Sequence, residues 1–323
     1  MGTSLSSIRK KRVLSRSSQQ TSTTATHISS SGGASSQQEK STSTVIDGRT
    51  FHNTDSIYWL PNDDAENDRL VGQHFAMKSL FNGNFNTKVL DYVSMDDRTT
   101  QVLDCGCGPG TWIMDVATDY PNCQLTGIDI SDVFPTTIRP PNVQFEIGNV
   151  LSRLPYEDNT FDFINLRFFI LALRKNEWST TLQELYRILK PGGVIESMEC
   201  GQLSRGREFI DDLAGRVVTF MESRDQDPWI AQKIPGCLKT AGFEIIETTT
   251  KDIYLGKSDS INREFLWDVI NIYKSIKPYM AAQLNIQGDK EYDEFLNRLA
   301  IECQQEPQAM WDMTSTLARK PSM

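Results

Sequence analysis

Seven residues, Asp104-Cys105-Gly106-Cys107-Gly108-Pro109-Gly110, constrain the fold of this chain more than any others. They follow a short apolar run, Gln101 to Cys105, that reads as a strand, and they precede Thr111 to Tyr120, which reads as a helix. Strand, glycine turn and helix in that order form the first half of a βαβ crossover. Further strands are expected at Gln124 to Ile128, Val143 to Ile147, Phe161 to Leu166 and Val194 to Met198. An amphipathic helix from Glu177 to Leu189 is stopped by Lys190-Pro191-Gly192-Gly193. Alternation at these lengths implies a mostly parallel sheet covered on both faces.

The flanks of this core read differently. In front, Asp63 to Phe81 is helical, with Leu70, His74, Met77 and Phe81 on one side and Asn62 or Asp63 as cap; a short helix follows over Thr87 to Met95. Behind it come helices near 206–224 and 228–241 and a strand from Phe243 to about Tyr254. Residues 260–307 read as a helical cover, and Met313 to Arg319 as a last, antiparallel strand. The fold class is therefore α/β: a Rossmann-like, doubly wound sheet of about seven strands, with added N-terminal helices and a helical insertion near the C-terminus. The core spans about 99–200, within one domain over 57–323.

Before residue 57 the composition changes. Of the first fifty residues 22 are Ser or Thr, and seven Lys or Arg stand against two acids. Such a segment buries too little apolar surface to offset its ordering entropy, so residues 1–56 are expected to be a disordered tail. Met1-Gly2-Thr3-Ser4-Leu5-Ser6 fits an N-myristoylation pattern, and Arg9-Lys10-Lys11-Arg12 follows it. An acyl chain beside a basic patch would attach the tail to a membrane surface; the same basic run also reads as a nuclear address. Without those signals, the expected location is cytoplasmic.

The whole chain carries a formal charge of −9, which argues against general nucleic-acid binding. No apolar run reaches the roughly 20 residues of a membrane span. Six scattered cysteines and three histidines do not make a zinc pattern, so no metal is expected.

The loop discriminates among ligands. A phosphate-binding P-loop needs Gly-Lys-Ser/Thr at its end, and no Lys follows Gly110. The dinucleotide fingerprint spaces its glycines differently, and Asp104 would repel a pyrophosphate while suiting a cationic amino group. S-adenosylmethionine matches those demands, with an ammonium, a carboxylate, a ribose diol and an adenine. Gly106, Cys107, Gly108 and Gly110 would bring the backbone close to it, and the first N–H groups of the 111–120 helix would meet its carboxylate. Asp129, with Ile130 after it, stands about 20 residues beyond the loop, where a ribose contact belongs.

These residues also carry a family resemblance. Val102 to Trp112 resembles motif I of the class I methyltransferases, and Phe145 to Val150, Leu154 to Asp162 and Leu185 to Gly193 resemble later segments of that fold. Tyr58 to Leu70, with Gln73-His74, is similar to the front end of the fungal LaeA-like methyltransferases. The resemblance covers roughly 57–200 strongly. It implies an S-adenosylmethionine-dependent methyltransferase acting on a small-molecule or protein acceptor, or a LaeA-like regulator that keeps the cofactor site and works through partners. It places Asn149, with Val150, at the adenine, where the family often has an acid; the amide can accept the same hydrogen bond. Methyl transfer from a sulfonium needs mainly alignment, so no catalytic group is obligatory. His74, Arg167 and Glu199 are the candidates for a base or a contact, with Arg167 also a cofactor candidate, since the last two stand where doubly wound sheets bind ligands.

Overall fold

The computed structural model describes residues 43–54 and 56–322. The acylation and basic signals at Gly2 and at Arg9 to Arg12 lie outside the described residues. The first elements are the strands β1 (Thr44–Ile46) and β2 (Arg49–Phe51), an antiparallel hairpin. Asp47 and Gly48 join them at φ 49° and 74°, the positive pair that a tight two-residue hairpin turn requires. This corrects the tail boundary expected at residue 56. Phe51 supplies the reason: its ring is 3% exposed and meets Tyr279 edge-on at 5.7 Å, an anchor far away in sequence.

Helix α1 (Asp64–Phe81) begins on Asp63, whose carboxylate accepts from the Glu66 N–H at 3.1 Å and is gripped by Arg49 at 2.6 Å. A 3₁₀ turn, Thr87–Asp91, replaces the longer helix expected to Met95. The Ser94 carbonyl explains the early stop, because it accepts from the Asp97 N–H and the Thr100 hydroxyl in a turn of its own.

The core then alternates β3 (Gln101–Cys105), α2 (Thr111–Asp119), β4 (Gln124–Asp129), β5 (Val143–Ile147), β6 (Phe161–Arg167), α3 (Glu177–Ile188) and β7 (Leu189–Cys200). After it come α4 (Glu208–Ser223), α5 (Ile230–Thr240) and β8 (Glu244–Tyr254). The cover resolves into three helices, α6 (Ser260–Ser275), α7 (Lys277–Gln283) and α8 (Gly288–Gln304), before β9 (Met310–Arg319).

Seven strands form one sheet in the order β5-β4-β3-β6-β7-β9-β8. β9 lies antiparallel to both neighbours, and the other pairs are parallel, as the alternation implied. Adjacent residues feed opposite faces: Val102, Phe163 and Val194 pack under α2, whereas Leu103, Ile164 and Ile195 join the larger core with α3 and α5. Strand order reverses between β3 and β6, which opens a crevice at the carboxyl ends of β3, β4 and β6.

Helix α1 closes that crevice and is itself pinned from outside by α6. Arg69 donates to Glu66 Oε1 at 2.6 Å and to Asp268 Oδ1 at 2.6 Å; Gln73 donates to Asp268 Oδ2 at 2.9 Å, and the Ser275 hydroxyl to Glu66 Oε2 at 2.7 Å. Glu66, Arg69 and Asp268 are at most 2% exposed. Buried charges persist only when paired and hydrogen-bonded, which these are.

Candidate functional site

The glycine loop is tied to β4 before it meets any ligand. The N–H groups of Gly106 and Cys107 both donate to the Ile128 carbonyl, at 2.8 and 3.0 Å. Gly106 sits at φ 69°, and a Cβ there would come within 2.6 Å of the Phe169 ring. Gly108, at φ 52°, has only Leu70 at 3.8 Å where its Cβ would be, so its backbone lies open to the crevice. Its N–H donates to Asp129 Oδ2 at 2.8 Å. The other carboxylate oxygen of Asp129 accepts from the Ser131 N–H at 2.9 Å. The Ile130 N–H acts on the same carboxylate, and burial raises the carboxyl above its ordinary value against these N–H bonds.

Around this pair the crevice gathers Asp104, Gly106, Cys107, Gly108, Ile130, Asn149, Val150, Arg167 and His74. Asp104 accepts from Asn165 Nδ2 at 2.7 Å, and burial pushes its carboxyl up to about 6, against the nearby Arg167 charge. Asn149 Oδ1 accepts from the Leu151 N–H at 2.9 Å, so its Nδ2 is the freer atom toward the crevice. The guanidinium of Arg167 lies 5.7 Å from the Trp112 ring centroid and makes no hydrogen bond or ion pair with the described residues.

Two of the expected site residues stand elsewhere. Gly110 caps α2 at φ 76°, and its missing Cβ faces the Phe145 ring at 2.5 Å; it does not line the crevice, and it serves the turn. Glu199 is 1% exposed and also lies off the crevice wall. Its oxygens accept from the Phe169 and Ile170 N–H groups at 2.8 and 3.0 Å, and so hold the ring that seats on Gly106. Burial pushes its carboxyl up to about 8. A folded value raised above the unfolded one contributes stability at low pH that is lost as pH rises through about 8. Glu199→Gln is expected to remove that slope in denaturation curves between about pH 5 and 9. It should also cost about 1–3 kcal/mol, because an amide oxygen accepts from only one of the two N–H groups.

Some of the site escaped the sequence reading. His52, Ser56 and Tyr58 reach the crevice from the strap after β2, where the Ser/Thr-rich context concealed them. His52 stacks on Tyr58 at 5.9 Å and bonds the Tyr58 carbonyl at 2.9 Å. Gln73 lines the wall beside His74, and the partner of His74 is Asp115 on α2, at 3.0 Å.

Residues 102–193 match the family model described as a methyltransferase domain. This part of the chain is a class I methyltransferase domain. It resembles the LaeA-like proteins. The chain is 31% identical to the secondary metabolism regulator laeA of Coprinopsis cinerea over 154 residues, which is 47% of this chain and 38% of that one. It is 28% identical to the N-methyltransferase verN of Clonostachys rogersoniana over 221 residues, covering 65% of this chain and 73% of that one. The chain thus spans well under two thirds of the regulator's length. Among solved structures it is similar to a Haemonchus contortus phosphoethanolamine N-methyltransferase 2 complexed with S-adenosyl-L-methionine, at 18% identity and TM-score 0.45, over 78% of this chain and 57% of that one. Within the methyltransferase domain, the crevice lies at the ends of β3, β4 and β6, with α1 and the strap across its mouth.

Proposed function

We propose that this protein is an S-adenosylmethionine-dependent methyltransferase whose acceptor is a small molecule. The hydrogen bond from the Gly108 N–H to Asp129 carries the proposal, because it joins the glycine turn and the spaced acid in one crevice. The residues present fit the cofactor group by group. The acceptor capacity that Asp129 keeps beyond its backbone bonds suits a ribose hydroxyl, and the open Gly108 backbone permits close approach. Asp104, buried beside the ends of the strands, suits an ammonium and disfavours a pyrophosphate. Val150 and the amide of Asn149 suit an adenine face and edge.

When bound, the cofactor supplies an electrophilic methyl group. The chain's own residues then have three tasks: to hold, to align and to exclude water. Loop and strand ends hold. α1, locked by the Arg69 network, presents Leu70, Gln73 and His74 as a fixed wall. The strap with His52 and Tyr58 covers the other side. Much of the lining toward the end of β6 is apolar, with Phe168, Phe169, Ala172 and Leu173, which favours an apolar acceptor. The likeness to an N-methyltransferase, of which the match covers 73%, supports methyl transfer as the output of the site.

The likeness to a secondary metabolism regulator favours a second reading, in which the site binds cofactor and the output runs through protein partners. Incubating the full chain with methyl-labelled S-adenosylmethionine and an extract of the cells that make it separates the two. The expected result is label in a small, extractable product. Label in a protein band reassigns the acceptor, and no label from a chain that binds the cofactor favours the regulator.

A further inference from the structure

Among the described polar groups of the crevice wall that keep an unpartnered atom, His74 and Arg167 are neighbours. His74 on α1 is 4% exposed, with Nε2 bonded to Asp115 Oδ2 at 3.0 Å and Nδ1 buried without a hydrogen bond. Arg167, at the end of β6, makes no hydrogen bond or ion pair with the described residues, and the buried Asp104 on β3 and Glu196 on β7 act on it only through space. Both line the crevice beside Thr111 and Trp112, the first residues of α2.

The charges facing His74 come from three elements. From α2, Asp115 accepts its Nε2; from α1, Lys78 donates to the same Asp115 oxygen at 2.7 Å; from β6 comes Arg167. Burial raises the Asp115 carboxyl, but the hydrogen bonds from Lys78 and His74 outweigh it, and the net shift is downward. Asp115 is therefore an anion, and the single proton of a neutral His74 sits on Nε2. Burial first, and the Arg167 charge second, hold the imidazole down at about 4, so its bare lone pair is at Nδ1 around neutral pH.

An unpaired cation beside a bare lone pair is half of an anion site. Arg167 attracts a carboxylate, while the Nδ1 lone pair repels one until it carries a proton. We propose that His74 and Arg167 together receive the methionine carboxylate of the cofactor, and that His74 takes up a proton from water at Nδ1 as the ligand binds. In the loaded state the imidazolium is flanked by two carboxylates, with Nδ1–H donating to the ligand and Nε2–H donating to Asp115. The ligand also neutralises Arg167, the second cause, after burial, of the low value in the free protein. Asp115 is then a positioning residue that fixes the ring and supports its charge. The inference rests on the cofactor reading above and adds a proton to it.

The test is calorimetric titration of the full chain with S-adenosylhomocysteine near pH 6.5, in buffers of different ionisation enthalpy. Wild type is expected to take up to about one proton more per ligand than His74→Gln, which keeps a donor toward Asp115 but cannot gain charge. In wild type the affinity should fall by up to about tenfold per unit as pH rises from the free-protein value of about 4 toward the higher bound-state value and level off beyond it, and the Gln variant should lack that part of the slope. Methylthioadenosine, which ends at the thioether, should show no difference between the two proteins. Imidazole ¹⁵N shifts of the intact chain give the same answer without a variant: Nδ1 of His74 should move from the bare to the protonated range on adding S-adenosylhomocysteine.

Equal proton uptake by both proteins, a difference that persists with methylthioadenosine, or an unmoved Nδ1 shift overturns the inference and leaves the cofactor reading standing. A folded wild type that does not bind S-adenosylhomocysteine overturns both.

Discussion

Asp129→Ala is expected to weaken S-adenosylhomocysteine binding by at least about a hundredfold in a protein that still folds. Two contributions add. A carboxylate that accepts from ribose hydroxyls makes charge-assisted hydrogen bonds, each contributing about 1.5–3 kcal/mol. The same carboxylate holds the Gly108 and Ser131 N–H groups, so its loss also frees the turn that the ligand needs preformed. Asp129→Asn separates the two effects. It keeps one acceptor for the backbone and should recover part of the affinity. Calorimetric titration of wild type and both variants, with circular dichroism to show that each is folded, measures this. Unchanged affinity in Asp129→Ala would place the ribose contact on another residue.

The largest effect on stability is expected at Arg69. Arg69→Met fills similar volume but leaves Glu66 and Asp268 facing each other, both buried and deprived of their cation. Breaking a buried pair by removing one partner costs about 3–5 kcal/mol. The loss should appear as a lower denaturation midpoint with an unchanged slope. It should also reach the site, because Asp268 holds Gln73 on the crevice wall. Adding Glu66→Gln and Asp268→Asn to Arg69→Met should restore much of the stability, since neutral groups in that place no longer need the guanidinium. A triple variant as unstable as the single one would mean that packing, and not charge, sets the cost.

The parts of the site legible in the sequence were those made by local chemistry. The glycine turn, Asp104 and Asp129 declare themselves by spacing within one βαβ unit, and the strands around them by apolar runs. What the sequence hid was made by distance. Glu66 and Arg69 look like a solvated helix face until α6, some two hundred residues later, covers them. Asp115 cannot be matched to His74 by any spacing rule, because the pairing depends on how α1 crosses α2. Composition hid the hairpin at 44–51 as well: threonines and serines dominate its surroundings, and the anchor that orders Phe51 is Tyr279. Gly110 and Glu199 were assigned to the ligand by position, yet they serve the ring contacts of Phe145 and Phe169 that shape its surroundings.

The place of β9 in the sheet has a consequence for biosynthesis. β7 and β8 never touch as strands; β9 lies between them, pairs with both and is made after both, while β6 covers the other edge of β7. While the ribosome works through α4 to α8, β7 therefore presents an open backbone edge and β8 has no sheet to join. Open edges recruit other chains. The nascent protein is most exposed to aggregation in that interval, and a chaperone that shields the edge of β7 until Met310 to Arg319 emerge would raise the yield of folded protein more than one that acts on the finished chain.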